Sequence, residues 1–309
     1  MESFQIVFVN VLITLFYIFP GFIIRKMNKA SSDHLPTLSA ILVYIGTPFL
    51  LLSAFMSLEF SWEMIASMGW FFLFTILTQA LFMLLLVFIF RKKSQNKKFR
   101  VMTIGSIAGN VGFFGMPVLR SLFPDKPEVA CYCAMFMLTM NILIFTVGVF
   151  CLTGERKYMS FKTALLNPTT FGFAIAFPVY LLGIGKFFPP VLANACSTIG
   201  SMTTPLCMFI LGIRLASAPL SRIFSSLYVY ATAALKLLVF PIFCYAIVYF
   251  LPFSDVFKTA ILILSGMPCA AVLLSLSEMH RSESELSANC LLVSTVLSFL
   301  TVPILTLLL

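Results

Sequence analysis

The chain is poor in charge and almost free of histidine. Only 10% of its 309 residues are charged, 61% are hydrophobic, and the mean hydropathy is +1.06, whereas soluble domains carry about 25% charged residues. There are two histidines, and none of the eight cysteines forms a Cys-x-x-Cys pair, so neither a metal site nor a disulfide framework is expected. The composition predicts an all-α polytopic membrane protein without metal or cofactor.

Several functional motifs are also missing from the sequence. There is no Gly-x-x-x-x-Gly-Lys-Ser/Thr phosphate loop, which argues against a pump driven by ATP bound to this chain. There is no His-Glu-x-x-His or Gly-x-Ser-x-Gly, so an enzyme such as an intramembrane hydrolase is not expected. The net charge of +9 would suggest nucleic acid as a partner of a soluble protein. In this chain its placement indicates membrane topology, and no nucleic acid is expected.

The sequence does contain apolar segments that are long enough to cross a bilayer, which takes about 20 residues each. We predict ten spans, at 4–24, 36–57, 66–90, 101–121, 128–152, 165–184, 191–213, 226–251, 255–277 and 286–308. The spans at 101–121 and 165–184 are the least apolar because Gly, Pro and Asn dilute them.

Basic residues are concentrated in the loops that follow odd-numbered spans. These loops contain fifteen Lys and Arg, including Arg214 and Arg222 after span seven, against four on the other face, and Lys236 lies within span eight. Cytoplasmic loops collect Lys and Arg. We therefore expect a multi-pass protein of the cell (plasma or inner) membrane, with both termini outside the cytoplasm.

The same tripeptide interrupts spans four and nine, as Gly115-Met116-Pro117 and as Gly266-Met267-Pro268, 151 residues apart. Proline removes a backbone donor, and glycine permits a sharp turn. Thr47-Pro48 of span two likewise matches Thr204-Pro205 of span seven at an offset of 157. Broken helices at corresponding places in two halves indicate the binding site of a transporter. The alternative is that these prolines only kink packed helices.

A duplication of five spans would invert the second half relative to the first, because five is an odd number. The predicted fold is therefore ten transmembrane helices as two inverted five-helix repeats, residues 1–155 and 156–309 of one membrane domain. Helices four and nine are both broken in this arrangement.

Span four contains the pattern Asn-x-Gly-Phe-x-Gly-x-Pro, formed by Asn110, Gly112, Phe113, Gly115 and Pro117. In this motif the chain resembles the auxin efflux carrier family, with which ten spans and external termini also agree. The resemblance implies secondary transport of small organic anions, with spans four and nine crossing near mid-membrane.

The chain departs from the plant members of that family at the position after each proline. Those members have asparagine there, whereas this chain has Val118 and Cys269. The departure argues against auxin as the substrate and favours small dicarboxylates such as malate and malonate, with which bacterial relatives are linked.

Backbone N–H groups at the start of a half-helix suit a carboxylate, and an intramembrane charge such as Lys236 is by default functional. Lys236 is predicted to pair with substrate or to titrate in proton coupling; alternatively it reaches a wet crevice. Gln79 lies 157 residues before it, and Asn141 and Tyr44 are further polar candidates. The predicted substrate-binding residues are Asn110, Gly112, Gly115, Met116, Pro117, Val118, Gly266, Met267, Pro268, Cys269, Lys236, Gln79, Tyr44 and Asn141.

Two alternatives to an organic-anion efflux or exchange carrier stay open. One is a sodium-coupled organic-anion symporter of the bile-acid-transporter type, and the other is a non-transporting membrane receptor or scaffold. The expected partners are a small organic anion, protons or sodium as coupling ion, the lipid bilayer and a second copy of the chain in a homodimer.

Overall fold

The computed structural model describes residues 2–93, 95–218, 223–224 and 226–309; Arg222 lies outside them. Within these residues the protein is helical and contains no β-strand. Eight helical segments of the described chain are long and apolar enough to cross a membrane. They are α1 (Glu2–Lys26), α2 (Ser32–Met56), α3 (Trp62–Ile89), α6 (Glu128–Thr153), α7 (Arg156–Leu181), α8 (Pro190–Ser217), α9 (Leu227–Tyr249) and α12 (Ser284–Leu308).

The other two predicted spans, 101–121 and 255–277, are each divided into two short helices. These are α4 (Lys97–Gly105) and α5 (Val111–Leu122) in the first, and α10 (Asp255–Ser265) and α11 (Ala271–Met279) in the second. The intervening residues, 106–110 and 266–270, lie outside these helices; each segment begins with a turn, and the two pair through Gly109 and Cys269. The prediction that both segments are broken is therefore confirmed.

The two segments between these helices, 106–110 and 266–270, run antiparallel beside each other at Gly109 and Cys269, and we call this contact the crossing. The Asn110 amide N–H donates to the Pro268 carbonyl (2.7 Å), and the Ala270 N–H donates to the Ala108 carbonyl (2.9 Å). The Cys269 N–H donates to Ser294 Oγ on α12 (3.0 Å). Backbone groups freed by breaking a helix must be satisfied inside the protein, and the two breaks satisfy each other.

The two Gly-Met-Pro tripeptides do not occupy equivalent places in the crossing. Gly266, Met267 and Pro268 lie in the second break, but the first break ends at Asn110, and Gly115 closes a wide π-helical turn five residues later. The breaks begin 160 residues apart, at 106 and 266, not 151. Pro268 lies within the second break, before α11 begins at Ala271, whereas Pro117 lies in the first turn of the α-helical part of α5, which begins at Met116.

The reason is that glycine and proline interrupt a helix in different ways. The first break follows Gly105, contains Gly109 and has no proline. Pro117, Pro48 and Pro241 each follow a π-helical turn by two residues. Since proline lacks an N–H, it loosens the preceding turn without ending the helix.

Helices α1, α2, α7 and α8 pack closely against one another through glycines. A Cβ on Gly212 of α8 would overlap the Ile18 carbonyl of α1, and one on Gly21 would overlap the Phe209 carbonyl of α8. Gly172 of α7 packs in the same way on α2. Small residues permit this approach between membrane helices. The four helices form a unit that we call the glycine-packed group, and the remaining helices surround the crossing.

This packing predicts the effect of a single methyl group. Gly212→Ala is expected to lower the stability of the protein by about 1–3 kcal/mol, the usual cost of overpacking, because the new Cβ meets a backbone carbonyl that cannot move freely. Gly69→Ala is the matched control, since nothing lies within 4 Å of its added Cβ. Melting temperatures in one detergent compare the two variants, and equal melting would contradict the close packing of α1 on α8.

Candidate functional site

A cavity of about 340 Å³ lies against one side of the crossing, between it and the glycine-packed group. This volume is in the range of small-molecule sites. Seven parts of the chain line it, and they are residues 39–47 of α2, 109–113 of the first break and α5, 137–145 of α6, 167–169 of α7, 207–214 of α8, 270–275 at the start of α11, and Leu291 of α12.

The lining segments show which end of the molecule the cavity occupies. Those of α2 and α7 follow basic residues that precede or begin their helices, those of α6 and α8 lie in the middle or second half of their helices, ahead of the next basic residues, and α11 ends just before Arg281. The cavity therefore lies on the side of the crossing that carries the basic loops.

Arg214 is the only charged residue among the described residues that line this cavity. It occupies the last turn of α8 and is partly buried. Its Nε is buried without a hydrogen-bond partner, and it forms no salt bridge with a described carboxylate. The exposed Glu278 acts on it only electrostatically. The prediction that placed Arg214 in a loop after span seven is wrong, because the helix continues to Ser217.

Two amide side chains face the same space. Asn110, at the end of the first break, donates weakly from Nδ2 to Cys207 Sγ (3.6 Å). The buried Asn141 side chain of α6 has no hydrogen bond within the described residues. A third amide, Asn167, lies within α7, where it caps the helical part Pro168–Leu181 by accepting from the Thr170 N–H (3.0 Å), and it is already satisfied. Arg214, Asn110 and Asn141 therefore present donors to the cavity that nothing else fully uses.

Four of the predicted site residues line the cavity: Asn110, Gly112, Tyr44 and Asn141. Tyr44 is 70% exposed, which places it at the rim. Val118 is fully buried in α5 away from the cavity, so its difference from asparagine has no bearing on this space. The predicted residues that do not line it are Gly115, Met116, Pro117, Val118, Gly266, Met267, Pro268, Cys269, Lys236 and Gln79.

Lys236 lies behind the crossing rather than in the cavity. It is 0% exposed, its Nζ donates to the Ser265 carbonyl at the end of α10, and it lies 5.0 Å from the ring centre of Phe240. Only the backbone of Gly109 separates it from the cavity, since a Cβ there would lie 3.1 Å from Nζ. A cation at the carboxyl end of a helix is favourable, so Lys236 stabilises the second break from the side opposite to the cavity.

Gln79 is likewise buried away from the cavity. Its Nε2 donates to Thr139 Oγ1 (3.0 Å) on α6, while its Oε1 is buried without a partner. It therefore joins α3 to α6 and does not neighbour the cavity donors.

The sequence does carry a signal for Arg214 that the loop assignment overlooked. Cys207, Ile210, Leu211 and Arg214 are spaced by three, four and seven residues, which puts them on one face of a helix. All four line the cavity. Extending span seven by one turn would have placed the guanidinium in the membrane with them.

Comparison with known proteins agrees with this architecture. The sequence profile of the family described as "Membrane transport protein" matches residues 6–163 and 157–306, which is nearly the whole chain. The chain belongs to this family. The resemblance to auxin efflux carriers that the span-four motif predicts is thereby confirmed.

Two archaeal members of the curated proteins are similar to the chain. A protein named "Uncharacterized transporter" in Methanocaldococcus jannaschii is 24% identical over 299 residues, covering 95% of this chain and 96% of that protein. A second, also named as an uncharacterized transporter, in Methanothermobacter thermautotrophicus, is 24% identical over 206 residues, 66% of each chain. The protein is thus a membrane transport protein with several membrane-spanning helices.

Proposed function

We propose that this membrane transport protein is a secondary carrier of small organic anions, with Arg214 holding the substrate carboxylate. One observation carries the proposal: a partly buried guanidinium faces the cavity beside the crossing, and no described acid pairs with it. An unpaired charge in a low-dielectric site is costly. A carboxylate bound in two-point geometry by the guanidinium would relieve that cost.

The cavity walls suit a small anion with a short carbon skeleton. Apolar side chains such as Leu42, Val111 and Ile210 form much of the lining. The Asn110 and Asn141 amides supply a second polar point apart from Arg214. A dicarboxylate would place one carboxylate on the guanidinium and the other near these amides, which keeps dicarboxylates as the first class to test.

The arrangement of the membrane crossings is also part of this proposal. In it, α4 with α5 and α10 with α11 each cross the bilayer once, which brings the total to ten. Residues 1–155 and 156–309 are the two inverted repeats. The antiparallel pairing at the crossing and the reciprocal glycine contacts between helices support this arrangement of two inverted repeats. Both termini would then lie outside the cytoplasm of a cell membrane, and the cavity would open toward the cytoplasm.

Alternating access would move the helices around the crossing against the glycine-packed group. Arg214 and Cys207 belong to that group, whereas Asn110, Asn141 and Ser275 belong to the other helices. The cavity therefore lies at the boundary between the two groups. Sliding along this boundary would close the space on the side of the basic loops and open it on the other side.

Transport by purified protein in liposomes tests the proposal. A thermal-shift screen with dicarboxylates and aromatic carboxylates selects a ligand, and uptake of that labelled anion is then measured with and without sodium and proton gradients. Uptake above protein-free liposomes, saturating with anion concentration, is the expected result. Binding without flux would support the receptor alternative, and flux only under a sodium gradient would support the symporter.

A further inference from the structure

We infer that the basic residues that follow α3 and begin α4 form a binding site for the headgroup of an anionic phospholipid. The basic cluster, as we call it, is formed by six cations, of which Arg91, Lys92 and Lys93 follow α3, and Lys97, Lys98 and Arg100 lie in the first turn of α4. This site is distinct from the cavity beside the crossing, and the inference does not depend on the proposed transport function.

Five cations of the basic cluster, Arg91, Lys92, Lys93, Lys97 and Lys98, form no salt bridge with a described carboxylate. Arg91 lies over the Phe88 ring (4.5 Å), Lys93 over Phe99 (4.9 Å) and Lys98 over Tyr228 (5.2 Å). The two salt bridges of the described chain are Lys157–Glu155 and Lys186–Glu59, and neither involves the cluster. The positive charge of these five cations is therefore not neutralised by a salt bridge within the described residues.

Hydrogen bonds to backbone carbonyls and contacts with aromatic rings hold the cations of the basic cluster in place. Lys97 Nζ donates to the Arg281 carbonyl after α11 (3.4 Å), and Arg100 Nη1 donates to the Leu152 carbonyl of α6 (3.4 Å). Gly154 has a positive φ of 77°, and a Cβ there would lie 3.0 Å from Arg100 Nη1. These contacts fix the cations beside the ends of α3, α4 and α6 instead of leaving them on a mobile loop.

An apolar cavity of about 190 Å³ lies directly beside the cluster. Val87, Phe90, Phe99 and Phe150 line it, and Arg100 forms its polar edge. The turn of α3 that precedes it exposes Leu84, Val87 and Phe88 on the outer surface of the protein, where they meet lipid. A phospholipid combines the two required parts, since its phosphate would lie on the cations and the start of its acyl chains in the apolar cavity.

The combination of cations with a neighbouring apolar cavity indicates which kind of molecule would bind there. A soluble anion would use the cations but not the apolar cavity, and a neutral lipid would use the cavity but not the cations. Basic pockets at the membrane surface gain affinity from anionic lipid for each nearby Lys or Arg. An anionic phospholipid uses both features.

Native mass spectrometry of the detergent-purified full chain tests the site with phosphatidylglycerol and phosphatidylcholine of equal chain length. The wild type is expected to retain phosphatidylglycerol roughly tenfold or more over phosphatidylcholine. The variant K93Q/K97Q/K98Q is expected to lose most of this preference. The matched control is R156Q/K157Q/K162Q, which removes three positive charges from the next basic loop and is expected to keep it.

Four results would overturn the inference. They are equal retention of the two lipids by wild type, undiminished preference in K93Q/K97Q/K98Q, equal loss in both triple variants, or displacement of the lipid by millimolar inorganic phosphate, which would indicate a soluble-anion site. If K93Q/K97Q/K98Q does not purify as a monodisperse protein, lipid retention by wild type in low and high salt decides. High salt must weaken the attraction between exposed cations and a charged headgroup. Preference for phosphatidylglycerol that is unchanged in high salt would overturn it as well.

Discussion

Replacing Arg214 with glutamine is expected to abolish anion flux while leaving the protein folded. Arg214 is the only cation among the described cavity residues, so R214Q removes the charge that the substrate carboxylate needs. Truncating one member of a buried charge pair costs about 2–5 kcal/mol, or roughly 30-fold or more in Kd. The fold is expected to tolerate the change, because the Arg214 Nε has no partner to lose. Uptake into liposomes and melting temperature measure the two effects.

The variants R214K and R25Q complete this experiment. R214K keeps the charge but loses the two-point geometry of the guanidinium, and we expect intermediate flux. Arg25, at the end of α1, bonds Ser217 Oγ (2.8 Å) and does not line the cavity. R25Q therefore removes an arginine from the same end of the molecule without touching the site and should transport normally. Wild-type flux by R214Q, at equal protein incorporation, would remove Arg214 from the mechanism.

Replacing Lys236 with methionine is expected to reduce flux by more than about tenfold through the geometry of the crossing. K236M removes the donor to the Ser265 carbonyl. A buried carbonyl left without a hydrogen-bond partner lowers the free energy of unfolding by about 1–3 kcal/mol. Relief from burying a charge offsets part of that cost, so the melting temperature should change less than the flux. Because Lys236 does not line the cavity, KM should change less than the maximal rate.

Lys258 provides the matched control for K236M. Its Nζ also donates to a backbone carbonyl, that of Tyr249 (3.1 Å), but Lys258 is partly exposed and lies near the start of α10, whereas the crossing follows the end of that helix. K258M is therefore expected to transport and melt like wild type. If K236M behaved like K258M in both measurements, the buried lysine would have no part in holding the crossing.

The sequence predicted the helical class and the two interrupted segments because both depend on local chemistry. Apolar runs of membrane length and the glycines near Asn110 are visible without any tertiary information. The place of each break was harder to predict, since Pro117 and Pro268 look alike in sequence. Whether a proline ends a helix or only widens a turn depends on the backbone that packs against it, and Asn110 meets the Pro268 carbonyl only in the folded chain.

The residues of the candidate site also differ in whether local sequence alone could predict them. Asn110 and Asn141 could be predicted because an amide in an apolar span needs a partner or a ligand. The predicted span boundaries assigned Arg214 to a loop and Lys236 to the membrane interior, so only Lys236 was a candidate. Only packing shows that the guanidinium of Arg214 faces a cavity, while the ammonium of Lys236 is occupied by a carbonyl behind Gly109.

The most direct test of the anion site is an experimental structure of the wild-type protein at saturating concentration of the anion that it transports. We predict density for a carboxylate within hydrogen-bond distance of the Arg214 guanidinium, with the rest of the anion toward Asn110 and Asn141. The R214Q variant under the same conditions should show an empty cavity. An anion bound elsewhere, against Lys236 or at the ends of the helices, would contradict the account.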